Sequence, residues 1–136
     1  MKTVKYGIIG AGFVANLHMK SLNHLRDHKV EVVCVAETNI EKAKYFAEMY
    51  DIPHTYTNWR QMIAINELDV IDICTPTHMH SEMVKDIAKA KKHIICEKPL
   101  TGFFGKDLKE KIVGDNISRE YMYNEIKKEL KELVVQ

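Results

Sequence analysis

Apolar and polar residues alternate along this chain in blocks of two kinds, and the blocks take turns. Short, nearly continuous apolar runs lie at 4–9, 30–36, 70–74 and 93–96, with a shorter one at 54–56. Between them lie longer stretches whose apolar residues recur every three or four positions, at 13–25, 40–50, 59–65 and 81–91. The short runs predict strands buried on both faces, and the longer ones predict amphipathic helices. In the helix over 13–25, Phe13, Leu17, Leu22 and Leu25 mark the expected apolar face. Asn58 or Thr57 is placed to cap the helix that follows, and Pro53 and Pro76 punctuate the chain. Five strands alternating with helices predict an α/β fold, a doubly wound parallel sheet. Residues 1–100 form this unit. In 101–136, Gly102, Gly105 and Gly114 mark a long loop, and Met122, Ile126, Leu130 and Leu133 stripe a helix over 119–135.

The first strand runs into Gly10-Ala11-Gly12-Phe13-Val14-Ala15. Two glycines one residue apart, with a small residue three positions later, form the G-x-G-x-x-A dinucleotide fingerprint. Gly10 permits a tight turn, and Gly12 leaves room for a pyrophosphate against the backbone. Ala15 lets the following helix pack closely on the strand. The helix opening at Phe13 and Val14 presents N–H groups and a positive dipole end to phosphates. The turn alone is weak evidence, since a strand-to-helix turn of small residues needs no ligand. Its context strengthens it. The second strand ends at Glu37, roughly twenty residues on, where a carboxylate can accept both hydroxyls of an adenine ribose and repel a 2′-phosphate. Otherwise Glu37 merely ends a strand. Thr75-Pro76-Thr77 follows the fourth strand and Glu97-Lys98-Pro99 the fifth, so four segments converge on one rim. Such a site favours NAD over NADP.

Composition narrows the partners. The 136-residue chain carries a formal net charge of +1, which excludes a field built for nucleic acid. No apolar run approaches the ~20 residues that span a bilayer, and no leader segment is evident. Cys34, Cys74 and Cys96 lie in strand-like runs without metal-like spacing, which suits buried thiols in a reducing, cytoplasmic setting. His18, His24 and His28 read as surface or helix-end residues. His78 and His80 lack a neighbouring cysteine or carboxylate cluster, so no metal is expected. Trp59, the one tryptophan, is expected to pack its helix on the sheet rather than touch a ligand.

The glycine turn, Glu37, Thr75-Pro76-Thr77-His78-Met79-His80 and Glu97-Lys98-Pro99 together resemble the glucose–fructose oxidoreductase / inositol dehydrogenase / MocA family. The resemblance covers residues 4–101 in order. It implies an NAD-dependent oxidoreductase acting on a sugar or polyol hydroxyl, and a homo-oligomer. It assigns the pyrophosphate to Gly10, Gly12, Phe13 and Val14 and the adenine ribose to Glu37. Thr75, Pro76 and His80 then line the cofactor groove, and Glu97 lies near the nicotinamide ribose. Lys98, the catalytic residue by this resemblance, stands beside the nicotinamide and the reacting hydroxyl, before a Lys98–Pro99 bond that is often cis. The family's second domain is not within these residues, so the chain is expected to be part of a longer protein. Two other readings stay open: a stand-alone NAD-binding regulatory or sensor module, and a nucleotide fold whose site has become structural. In both of these Lys98 is an ordinary loop lysine.

Overall fold

The computed structural model describes residues 3–25, 29–105 and 116–134. Five strands form one sheet: β1 Val4–Ile9, β2 Val30–Ala36, β3 His54–Tyr56, β4 Val70–Ile73 and β5 His93–Cys96. All pairs are parallel, in the order β3-β2-β1-β4-β5. The helices are α1 Phe13–Leu22, α2 Ile40–Met49, α3 Trp59–Ile63, α4 His80–Lys89 and α5 Arg119–Val134. This is the doubly wound parallel arrangement that the alternation of runs predicts. The strand order reverses between β1 and β4, so the ligand crevice of such a sheet belongs at their carboxyl ends.

Period-two alternation divides the core between the two sheet faces. Tyr6, Ile8 and Val35 pack with Ala15 and Met19 of α1 and Phe46 and Ala47 of α2. Ile9, Ile71 and Ile73 pack with Met62 and Ile63 of α3 and Met83 and Ile87 of α4. The expected apolar face of α1 is corrected here. Ala15 and Met19 are its buried residues, whereas Phe13 and Leu17 are exposed. Ala15 and Met19 pack with Tyr6 and Ile8 of β1, and Phe13 and Leu17 are turned outward. The helix also ends at Leu22, before the expected Leu25, and His28 lies outside the described residues.

α3 ends at Ile63 and leads into a turn over 64–69 that is held by one cation. The Lys92 ammonium donates to the carbonyls of Ile65, Asn66 and Leu68 at 2.9, 2.9 and 2.8 Å. Hydrogen bonds from a charged donor are worth more than neutral ones, so Lys92→Met is expected to cost about 1.5–3 kcal/mol of stability. Chemical denaturation read by circular dichroism checks this, and an unchanged midpoint refutes it.

α5 lies against α4, where Lys85 and Glu132 form an ion pair at 2.7 Å. Thr101 hydrogen-bonds Glu129, and Phe103 meets Tyr121 edge-on with centroids 5.7 Å apart. No residue of α5 is buried, and Met122, Ile126 and Leu133 of its expected stripe are half-covered. No helix among the described residues is long and apolar enough to cross a membrane.

Candidate functional site

A crevice of about 480 Å³ opens at the carboxyl ends of β1, β2 and β4. Its volume lies in the range of small-molecule sites. Gly10, Gly12, Phe13 and Val14 form one wall, Glu37, Thr38 and Lys42 another, and Thr75 and Pro76 a third.

The two glycines do different work. Gly10 has φ +93°, and a Cβ there would sit 2.8 Å from the Cys74 carbonyl oxygen. β1 and β4 therefore touch backbone to backbone at the reversal of strand order, which only glycine permits. Gly12 has φ −94°, and a Cβ there would meet nothing within 4 Å. Its missing side chain relieves no clash within the protein and leaves the crevice floor clear. No side chain caps α1 at Gly12, whereas Asn39 and Asn58 cap α2 and α3 through the N–H groups of Lys42 and Arg60. The first-turn N–H groups of α1 thus face the crevice without a side-chain acceptor, the arrangement that binds phosphate. Ala15, fully buried against β1, completes the turn.

Glu37 follows β2, and its carboxylate is largely enclosed. Oε2 accepts from the Ala11 N–H at 3.2 Å and Oε1 from the Thr38 hydroxyl at 3.0 Å and the Asn39 N–H at 3.3 Å. The Lys42 ammonium lies 3.3 Å from Oε2. Burial works against the ionised form, but the N–H and hydroxyl donors and the Lys42 charge outweigh it and hold the carboxyl below the usual carboxylate range. Glu37 is thus an ionised acceptor fixed beside the glycine turn. Lys42 is a crevice residue that a reading of positions 38–40 overlooks, although the first turn of a helix opening at Ile40 must bring it back toward Glu37.

Trp59 packs on the α3 side of the core, as expected, and it also lines the crevice. His80 departs from its expected place. It is 1% exposed, away from the crevice wall, and its ring bridges the carbonyls of Pro99 at 2.9 Å and Thr75 at 2.8 Å. Glu97 and Lys98 stand at the end of β5, next to the β4 end but outside the crevice lining. Lys98 is exposed, and the Lys98–Pro99 bond is cis.

Sequence reasoning names Glu97 but misses that His18 joins it to the buried Asp72. That histidine is no surface residue. Its Nδ1 lies 2.6 Å from Asp72 Oδ2 and its Nε2 3.0 Å from Glu97 Oε1. Asp72, fully buried in β4, also accepts from the Tyr6 hydroxyl at 2.6 Å. Cys74 Sγ is 3.5 Å from the same Nδ1. Burial opposes a charged His18 ring, but the bonds to Asp72 and Glu97 and their charges prevail, so its pKa is raised. The donor atoms of His18, Asp72 and Cys74 lie within 4.8 Å of one another, yet His18 and Asp72 already engage each other by hydrogen bonding. Burial pushes up the Cys74 and Cys34 thiols, the latter to about 12, so both stay protonated at neutral pH. One signal for this cluster is visible in the sequence: Asp72 stands between two isoleucines in an apolar strand, and a buried carboxylate needs partners.

Known proteins share this architecture. Levoglucosan dehydrogenase of Pseudarthrobacter phenanthrenivorans is 32% identical over 136 aligned residues, covering 91% of this chain and 34% of the relative. Myo-inositol 2-dehydrogenase of Thermotoga maritima is 29% identical over 98 residues, covering 72% and 29%. Among solved structures, levoglucosan dehydrogenase in complex with NADH superimposes with a TM-score of 0.70 at 32% identity, covering 74% of this chain and 29% of that one. Myo-inositol 2-dehydrogenase from Lactobacillus plantarum gives 0.69 at 30% identity, covering 76% and 30%. The chain thus spans about a third of the length of these relatives. Residues 4–110 match the family described as "Oxidoreductase family, NAD-binding Rossmann fold". With its glycine turn, its enclosed carboxylate after β2 and its strand order, the chain belongs to the GFO/IDH/MocA oxidoreductase family, as an NAD-binding Rossmann domain.

Proposed function

We propose that this domain serves an NAD-dependent dehydrogenase that moves a hydride between the nicotinamide and a hydroxyl-bearing carbon of a sugar or polyol. The observation that carries the reading is the meeting of an uncapped helix N-terminus, an open Gly12 and an ionised Glu37 in one crevice, with Lys98 at the neighbouring strand end. These features fit a dinucleotide. The turn and the first N–H groups of α1, from Gly10 to Val14, would hold the pyrophosphate, and Glu37 would take the adenine ribose. Thr75 and Pro76 would line the path toward the nicotinamide. Bound NAD supplies the hydride acceptor. Lys98 would donate to the substrate hydroxyl and stabilise its oxygen as the proton leaves, with Glu97 at the nicotinamide ribose. His80 would support this end by holding the Thr75 and Pro99 carbonyls. Relatives crystallised with NADH and levoglucosan, or with NADH and L-sorbose, support a sugar-like substrate. The regulatory-module alternative draws no support from relatives named as dehydrogenases. The whole protein is proposed to be a cytoplasmic homo-oligomer with no nucleic-acid or membrane partner, in keeping with its near-neutral charge and free cysteines.

Titration of NAD and NADP tests the reading. NAD is expected to bind more tightly, because Glu37 would face a 2′-phosphate. Glu37→Ala removes a charged acceptor worth about 1.5–3 kcal/mol. It also releases Lys42, so NAD should weaken while NADP gains. Equal or tighter binding of NADP by the unaltered chain would sink the assignment.

A further inference from the structure

The ring of His18 has a carboxylate oxygen on each nitrogen, 2.6 Å away on one side and 3.0 Å on the other. Asp72 is rooted in the middle of the sheet and already accepts the Tyr6 hydroxyl, so that side of the ring is anchored. The other side reaches Glu97, the residue directly before Lys98. Ionised carboxylates only accept, so a ring bonded to both must donate from both nitrogens and carry a positive charge. The path of a dinucleotide follows from the sheet order. With the adenine ribose at the end of β2 and the pyrophosphate at the end of β1, the remaining half runs toward the ends of β4 and β5. That is where Glu97 stands. Oxidised nicotinamide carries a positive charge and reduced nicotinamide does not, so the charge balance at this place discriminates between them.

We propose that His18 is a positioning residue for the nicotinamide end: clamped between Asp72 and Glu97, its ring fixes the Glu97 carboxylate at the end of β5 and offsets its charge, and so sets the affinity for oxidised relative to reduced cofactor. The proposal rests on the cofactor reading above. The groups facing the ring are Asp72 and Cys74 from β4 and Glu97 from the end of β5, with Tyr6 of β1 behind Asp72. Cys74 and Tyr6 are both held protonated by burial and the Asp72 charge, so His18 and the two carboxylates set the local charge.

The test measures dissociation constants of the 136-residue chain for NAD+, NADH and ADP-ribose, the last probing only the adenine half. His18→Ala removes the positive charge and leaves two carboxylates. It should shift the affinity ratio toward NAD+ by about fivefold or more, the scale of one unit charge in a half-buried site, and leave ADP-ribose within about twofold. Glu97→Gln should shift the ratio the opposite way, a reversal that general loosening of the fold would not produce. In the unaltered chain the ratio should drift toward NAD+ as the pH rises past the raised pKa of His18, above the ordinary 6.5. In His18→Ala that drift should vanish. If His18→Ala fails to fold, Glu97→Gln and the pH drift still decide. A ratio that stays within twofold in the variants and flat with pH, while NAD+ and ADP-ribose still bind, overturns the role of His18. Failure of the unaltered chain to bind even ADP-ribose would instead overturn the cofactor reading beneath it.

Discussion

Gly12→Val is expected to abolish dinucleotide binding while leaving the fold standing. A Cβ at Gly12 meets no protein atom within 4 Å, and φ is −94°, so a side chain can start there without a clash at Cβ or a left-handed backbone. The space it fills is the crevice floor between the uncapped end of α1 and Thr75, where a pyrophosphate would rest. Gly10→Ala makes the opposite test. Its Cβ would press to 2.8 Å from the Cys74 carbonyl, and φ is +93°, so backbone strain alone costs about 1–3 kcal/mol. Two neighbouring glycines should therefore separate cleanly. The Gly12 variant keeps its melting temperature but loses stabilisation by NAD, whereas the Gly10 variant melts early with or without it. Thermal unfolding with and without cofactor reads both, and undiminished NAD stabilisation of Gly12→Val would refute the assignment of the turn.

The second large effect belongs to Lys98. Oxidising an alcohol removes a proton along with the hydride, and a positioned proton-handling group contributes about 10²–10⁴-fold to such a step. Among the described residues, Lys98 is exposed at the end of β5 and stands outside the crevice lining. Positioning is worth ~7–11 kcal/mol of barrier, which an open site forfeits. The 136-residue chain by itself should accordingly bind NAD and turn over no polyol at a measurable rate. In a protein carrying the remaining length of the family, Lys98→Ala should lower kcat about 100-fold or more and hardly move NAD affinity. Steady NADH production by the short chain, or near-normal kcat in the longer Lys98→Ala protein, would count against the role.

What could be read from the residues alone divides along physical lines. Strand positions are plain because a parallel sheet is built from short, nearly continuous apolar runs, as at Val30–Ala36; the same kind of run marks the edge strand His93–Cys96, although its residues alternate between exposed and half-covered. The glycine turn and Glu37 were plain because their spacing is local to one strand–helix–strand unit. The α1 face misleads because apolar spacing counts Phe13 and Leu17 as core, while the residues that pack on β1 are Ala15 and Met19. The His18 cluster is hidden because positions 18, 72 and 97 meet only after α1, β4 and the end of β5 are brought side by side. His80 reads as groove lining because it follows Thr75-Pro76 closely, but its ring is buried against the Thr75 and Pro99 carbonyls.

The buried ring of His80 carries one more consequence. It fastens the Thr75 carbonyl, on the crevice wall, to the Pro99 carbonyl, just beyond Lys98. The turn that would meet the cofactor and the turn that would meet the substrate are therefore linked through one side chain rather than left as two independent loops. Ordering such loops on binding costs entropy at every encounter. Here that entropy is surrendered once, when the chain folds, so a cofactor arriving at the crevice should find the lysine-bearing turn already in place.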